Sequence, residues 1–143
     1  MNPHTLSFSV ALDYGSLART SRGVFVQVNL TADATSTWDI DARIDSASTY
    51  CVFGRQWAEM LGLDWEAGDP LTISTAAGAF PARLHEVTLA LLDWEWTAWV
   101  AFAEWDTTPP SPARDVLGLT GFFDHFLVAI DDLAETVYLE PRF

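Results

Sequence analysis

Residues 42–53 read ARIDSASTYCVF: an alternating run carries one acid, Asp45, into the small residues Ser46, Ala47, Ser48 and Thr49, and a second apolar run follows at once. Ahead of it, Trp38, Ile40, Ala42 and Ile44 alternate with Asp39, Asp41, Arg43 and Asp45, the period of a strand with one face on a core. Upstream, Val24, Val26, Val28 and Leu30 alternate in the same way with Phe25, Gln27 and Asn29. Residues 31–37 between the two runs are polar and read as a turn, so the runs are expected to pair as a hairpin. By periodicity alone, Asp45 is the next polar member of a solvent face. Its position ahead of a tight, hydroxyl-rich loop adds a chemical reading, because Ser46 and Ser48 can hydrogen-bond locally and orient a carboxylate.

Working outward, Trp57, Met60 and Leu61 have helical spacing and Gly62 can end that turn, which predicts one short helix. Residues 71–75 and 83–92 read as strands joined through Ala76-Ala77-Gly78-Ala79, where Gly78 permits a tight reversal. Another strand is expected over 97–103, after a bend near 93–96. Segment 106–114 is too rich in Pro to be a strand and reads as an exposed loop. Only about 30 residues lie beyond it, fewer than the roughly 40 an unaided domain needs, so 1–143 is expected to be a single domain with its core in 24–139. A possible helical turn at 121–125, strand spacing at Phe126, Val128 and Ile130, and a last strand at 136–139 complete the pattern. Nearly every element is a short strand, and the class expected is all-β, a closed or nearly closed barrel with one or two short helices.

The charge balance narrows the partners. Twenty acids stand against seven bases, all Arg, for a formal charge of −13. Nucleic acid and anionic membrane surfaces are excluded as expected partners, since both would be repelled. Residues 1–5 carry no charged leader region, and no window of about 18 apolar residues occurs, so a cytoplasmic protein is expected. The single Cys51 lies in an apolar setting and reads as a small buried hydrophobe.

Residues 44–49, Ile-Asp-Ser-Ala-Ser-Thr, resemble the Asp-Thr/Ser-Gly-Ala/Ser/Thr loop of the aspartic proteases. Val116-Leu117-Gly118 is similar to their second signature, two aliphatic residues and a glycine, 72 positions after Asp45. The order of elements resembles that of the retropepsin-like, single-domain members, with a glycine-containing hairpin between the two signatures.

This resemblance implies an acid-protease-like barrel with one half-site per chain, and a homodimer in which Asp45 of each copy supplies a catalytic acid/base toward a polypeptide substrate. It further implies that Ser46 bonds across the dimer, that Ser48 supports the outer oxygen of the carboxylate, and that Val116, Leu117 and Gly118 pack beside the loop. The hairpin of about 71–87 would be a flap, with Thr75, Ala76, Ala77, Gly78, Ala79 and Phe80 at its tip. No cofactor and no metal are called for. Ala47 departs from the family's usual Gly, so the alternative is a catalytically weak or inactive peptide-binding or dimerisation module on the same fold. Paired acids would favour mildly acidic working conditions.

Rival constellations are thin. His85-Glu86 and Asp124-His125 are adjacent pairs without the spacing of a zinc site. Trp94, Trp96 and Trp99 could line a ligand groove in a small-molecule-binding barrel, but tryptophans of this kind more often fill a core or an interface.

Overall fold

The computed structural model describes residues 3–16, 22–76, 78–105 and 115–143; Ala77 and the Pro-rich segment 106–114 lie outside the described residues. In chain order the elements are β1 (Val10–Asp13), β2 (Phe25–Ala32), β3 (Thr35–Ser36), β4 (Ile40–Ile44), β5 (Val52–Gly54), helix α1 (Arg55–Met60), a 3-10 turn at Trp65–Ala67, β6 (Asp69–Thr75), β7 (Gly78–Leu91), β8 (Trp94–Ala103), β9 (Val116–Leu117), β10 (Phe126–Asp131) and β11 (Thr136–Pro141).

The chain is all-β and builds a closed barrel. Strands β2, β4, β9, β5, β8 and β7 are neighbours in that order, and β7 pairs back onto β2, with Asn29 opposite Ala90 and Leu30 opposite Leu89. Two of the junctions are parallel, β4 with β9 and β5 with β8. Closure removes the free edges from this part of the sheet. The alternation read in the sequence fills the interior: Val26, Val28, Leu30, Ile40, Ala42 and Ile44 are all buried and share one cluster with Leu89, Val100, Phe102 and Leu117. Burying a large aliphatic or aromatic side chain contributes about 1.5–3 kcal/mol, so this cluster is the main stabilising element.

Outside the ring, β1, β11 and β10 form a three-stranded antiparallel sheet with β11 in the middle. Strand β1 has no counterpart in the sequence reading. Its four residues, Val-Ala-Leu-Asp, carry too little contrast to mark a strand, and pairing to β11 more than 120 positions away is what extends them.

Several expectations shift in position. The turn over 31–37 tightens: β2 continues to Ala32, β3 starts at Thr35, and Asp33 adopts a left-handed φ of 52° between them. Trp38 was expected on the inner face but is 67% exposed, because β4 begins only at Ile40 and the alternation does not extend back to it. Phe25, expected on the solvent face, is buried with the Arg43 guanidinium over its ring. The bend before β8 falls at Leu92, with φ 53°, so Trp94 and Trp96 already belong to that strand.

Residues 121–125 form turns and not a helix, held by Phe123 N–H to Gly118 O and Phe126 N–H to Phe122 O. Helix α1 ends as expected, at Gly62 with φ 75°. Among the described residues, no helix is long and apolar enough to cross a membrane.

Candidate active site

Asp45 stands at the end of β4, and the reason the strand stops there is visible in its hydrogen bonds. Its N–H still follows the ladder, donating to Leu117 O at 2.9 Å. Its C=O instead accepts the N–H of Ser48 at 3.2 Å, closing a four-residue turn over 45–48. The carboxylate takes part as well: Oδ1 accepts the N–H of Ala47 at 2.9 Å, an Asx-type turn that orients the acid from within its own loop. Asp45 is half-buried, whereas Ser46 and Ala47 are exposed.

Ala47 does not carry a left-handed φ; among the described non-glycine residues those are Asp33, Leu92 and Glu135. A methyl group therefore sits at this position without the roughly 1–2 kcal/mol penalty of left-handed backbone. Ser48 differs from the expectation attached to it. Its hydroxyl donates to Tyr50 O at 2.7 Å and braces the loop, while Asp45 Oδ1 is held by the Ala47 N–H.

Val116, Leu117 and Gly118 run beside this loop. Arg43 pairs with Val116 and Ile44 with Leu117 in the parallel register. Beyond them Leu119 N–H donates to Ser48 O and Thr120 N–H to Thr49 O, both at 2.8 Å. Gly118 sits at the closest approach: a Cβ there would overlap Tyr50 O and stand 2.5 Å from Ser48 O. Only a residue without a side chain lets the two backbones meet.

The hairpin of β6 and β7 lies on the other side of the loop. Thr75 faces Gly78 across the turn, with Thr75 Oγ1–H donating to Gly78 O at 3.1 Å and Gly78 at φ 129°. Ala76 and Ala79 are exposed, and Phe80 packs edge-on against Trp105 with ring centres 5.7 Å apart. A groove of about 240 Å³ joins hairpin and loop, lined by Ala47, Ser48, Thr49 and Tyr50 on one wall and Leu71, Thr72, Ile73 and Ser74 on the other. Among the described residues, the hairpin's contribution to this groove is the middle of β6. The sequence signal for those residues was the alternation of Leu71 and Ile73 with Thr72 and Ser74, which the reading used for the strand only.

Asp115 also escaped sequence reasoning. Its Oδ1 accepts the N–H of Gly54 at 3.0 Å, its Oδ2 accepts Trp57 Nε1–H at 3.1 Å, and its C=O accepts Arg43 N–H at 2.9 Å. Burial of the carboxylate raises its pKa to about 6 against the lowering effect of the two donors. The side chain thereby ties the entry of β9 to the start of α1. Nothing local announces it, since both donors lie about 60 positions upstream.

The remaining reactive groups are engaged elsewhere. Cys51 is buried and its thiol is pushed up to about 12 by desolvation. His85 Nε2 bonds with Trp65 O, and His125 Nδ1 with Asp124 Oδ1. Among the described residues, no group of three or more His, Cys, Asp and Glu side chains is placed to hold a metal ion. Trp96 packs into Phe122 and Phe126 and donates its Nε1–H to Gly121 O at 2.7 Å, and Trp94 rests on Phe126, so both rings belong to the core.

No protein-family model matches this sequence, and no curated protein matches it. Among solved structures the chain is similar to a retropepsin-like aspartic protease from Rickettsia conorii, with a TM-score of 0.61 and 15% sequence identity over 90% of this chain and 96% of that one. The fold is therefore retropepsin-like.

Proposed function

We propose that this chain is one half of a homodimeric aspartic endopeptidase, with Asp45 of two copies meeting on a two-fold axis to hydrolyse peptide bonds. The observation that carries the reading is the Asp45 loop itself. A half-exposed strand-end carboxylate is oriented by the Ala47 N–H at 2.9 Å, and Ala47 and Ser48 of the same loop line a groove of about 240 Å³ shared with β6. A retropepsin-like fold around that loop supports it further.

The chemistry needs two acids, and the sequence supplies one such loop. Like charges in contact cannot both ionise, so two Asp45 carboxylates would retain one proton between them. The ionised partner takes a proton from water as that water attacks the scissile carbonyl; the protonated partner donates to the carbonyl oxygen. An extended polypeptide fits a groove with one wall from a strand, and Leu71 and Ile73 offer apolar contact to its side chains.

The test is cleavage of an unfolded protein by the wild type and by Asp45→Asn between pH 4 and pH 8. Cleavage by the wild type that is strongest on the acidic side and absent in Asp45→Asn is expected. Equal cleavage by both, or none by either at any pH, overturns the enzymatic reading. In the latter case, retention of an unfolded polypeptide by both forms would assign the fold a peptide-binding role instead.

A further inference from the structure

We infer that Glu86 and Trp99 form a subsite for an arginine or lysine side chain of a polypeptide held in the groove. The inference rests on the reading of that groove as a polypeptide site and adds to it a substrate class, basic polypeptide. Unlike Trp94 and Trp96, Trp99 is not taken up by the core and is 48% exposed. Glu86 is exposed as well and stands directly opposite it in the antiparallel β7–β8 pair, where facing side chains have Cβ atoms about 4.5–5.5 Å apart. Among the described residues, no arginine or histidine pairs with Glu86 and no ring packs on Trp99.

Strand register places the pair beside the groove. Val52 pairs with Ala101 in the parallel β5–β8 junction and Cys51 O accepts the Ala101 N–H, so Tyr50 and Trp99, two positions back along each chain, are neighbours one strand spacing of about 4.8 Å apart. Their side chains share a face. Tyr50, Leu71, Ile73 and Leu84 pack on the cluster of Val52, Ala82, Ala101 and Ala103, and the pleat's period of two puts Trp99 with Ala101 and Glu86 with Leu84. Tyr50 lines the groove opposite Leu71 and Ile73, so the pair extends that wall beyond Tyr50.

Charge identifies the occupant. Along β6, β7 and β8 the charged residues on this face are Asp69, Glu86 and Glu95, all exposed acids. Arg83, the arginine of these strands, alternates onto the opposite face, where its guanidinium lies 5.4 Å over the Trp65 ring. An indole face attracts a cation and a carboxylate gives it charge-assisted hydrogen bonds, while the long apolar stem of arginine or lysine carries the charge past Tyr50. The formal charge of −13 draws the same class of chain from solution.

The experiment measures fluorescence anisotropy of three labelled peptides of one length, carrying Arg, Gln or Glu at alternate positions, with the full chain bearing Asp45→Asn so that they stay intact. The Arg peptide should bind about tenfold or more tighter than the Gln peptide at about 0.15 M salt. Adding Glu86→Gln or Trp99→Thr should weaken the Arg peptide about tenfold and leave the Gln peptide within about twofold, with an unchanged circular dichroism spectrum. Asp39→Asn, which removes an equal charge elsewhere, should leave both peptides within about twofold. Glu86→Gln and Glu86→Lys carry the test if Trp99→Thr does not fold. An Arg preference that survives the Glu86 and Trp99 variants would come from bulk charge and overturns the inference, as do equal affinities for the Arg and Gln peptides or no binding by any of the three. Mapping the cuts made in an unfolded protein by the chain with Asp45 intact separates this inference from the protease reading. Arg or Lys enriched at one position relative to the cut, and not enriched in Glu86→Gln, is expected. Cleavage indifferent to Glu86 and Trp99 would remove the subsite while the paired Asp45 stands; peptide binding that depends on the pair, without cleavage, would leave the subsite standing and remove the protease reading.

Discussion

The backbone N–H of Asp45 donates to the carbonyl oxygen of Leu117 at 2.9 Å, so the place where the acid leaves its strand is fixed by a residue 72 positions further on. The loop's shape depends on that neighbour remaining close. Gly118 is what keeps it close.

Gly118→Ala should therefore cost about 3 kcal/mol or more, because the added methyl overlaps Tyr50 O and stands 2.5 Å from Ser48 O, and neither is a movable side-chain tip. Gly62→Ala is the control: nothing lies within 4 Å of its Cβ position, and only the left-handed φ of 75° opposes the change, at about 1–2 kcal/mol. Urea denaturation of both variants checks the contrast. Equal losses would contradict the close approach.

Asp115 makes stability depend on pH. Its folded pKa is raised from 3.8 to about 6, so the native state holds this proton more tightly than the unfolded chain. The corresponding stability is fully present below about pH 4 and is lost as pH rises through about 6, a change of up to about 3 kcal/mol. Asp115→Asn has no such proton to hold. The stability difference between wild type and variant, measured by denaturation at pH 4, 5, 6 and 7, should shift against the wild type over that interval and level off above it. A constant difference contradicts the assignment.

Ala47→Gly should lower stability by about 0.5–1 kcal/mol through the added freedom of the unfolded chain. With the Ala47 N–H still donating to Asp45 Oδ1, cleavage should stay within about threefold of the wild type. A much larger rise in rate would mean that the methyl group obstructs substrate.

Trp96→Phe keeps most of the ring in the aromatic cluster but removes the Nε1–H that reaches Gly121 O at 2.7 Å. The stranded carbonyl should cost about 1–3 kcal/mol. A thermal scan in which Tm does not fall would show that Gly121 O finds another donor.

Local pattern made much of the barrel legible, and distance hid the rest. Val26, Val28, Leu30, Ala42 and Ile44 announce their face because a half-buried strand must alternate. Strand β1 does not, since its conformation comes from β11 and not from its own four residues. Within the site, Asp45 and Gly118 were readable as an acid before small residues and a glycine after aliphatic ones. The hydroxyl of Ser48 was misdirected because a sequence cannot say which of two nearby acceptors lies in line with it; the loop turns it toward Tyr50 O. Asp115 was invisible because its surroundings are assembled from Gly54 and Trp57.

Strand β7 is a single uninterrupted run from Gly78 to Leu91, shared between the hairpin that borders the groove and the wall of the barrel. It pairs with β8 only from Ala82 onward, a buried residue, so the first few positions project like a cantilever from a fixed fulcrum. Arg83 and Leu84, the next residues along, pair with Phe102 and Ala101 of β8. The strand that backs the groove-lining β6 is thus the one that closes the barrel against β2.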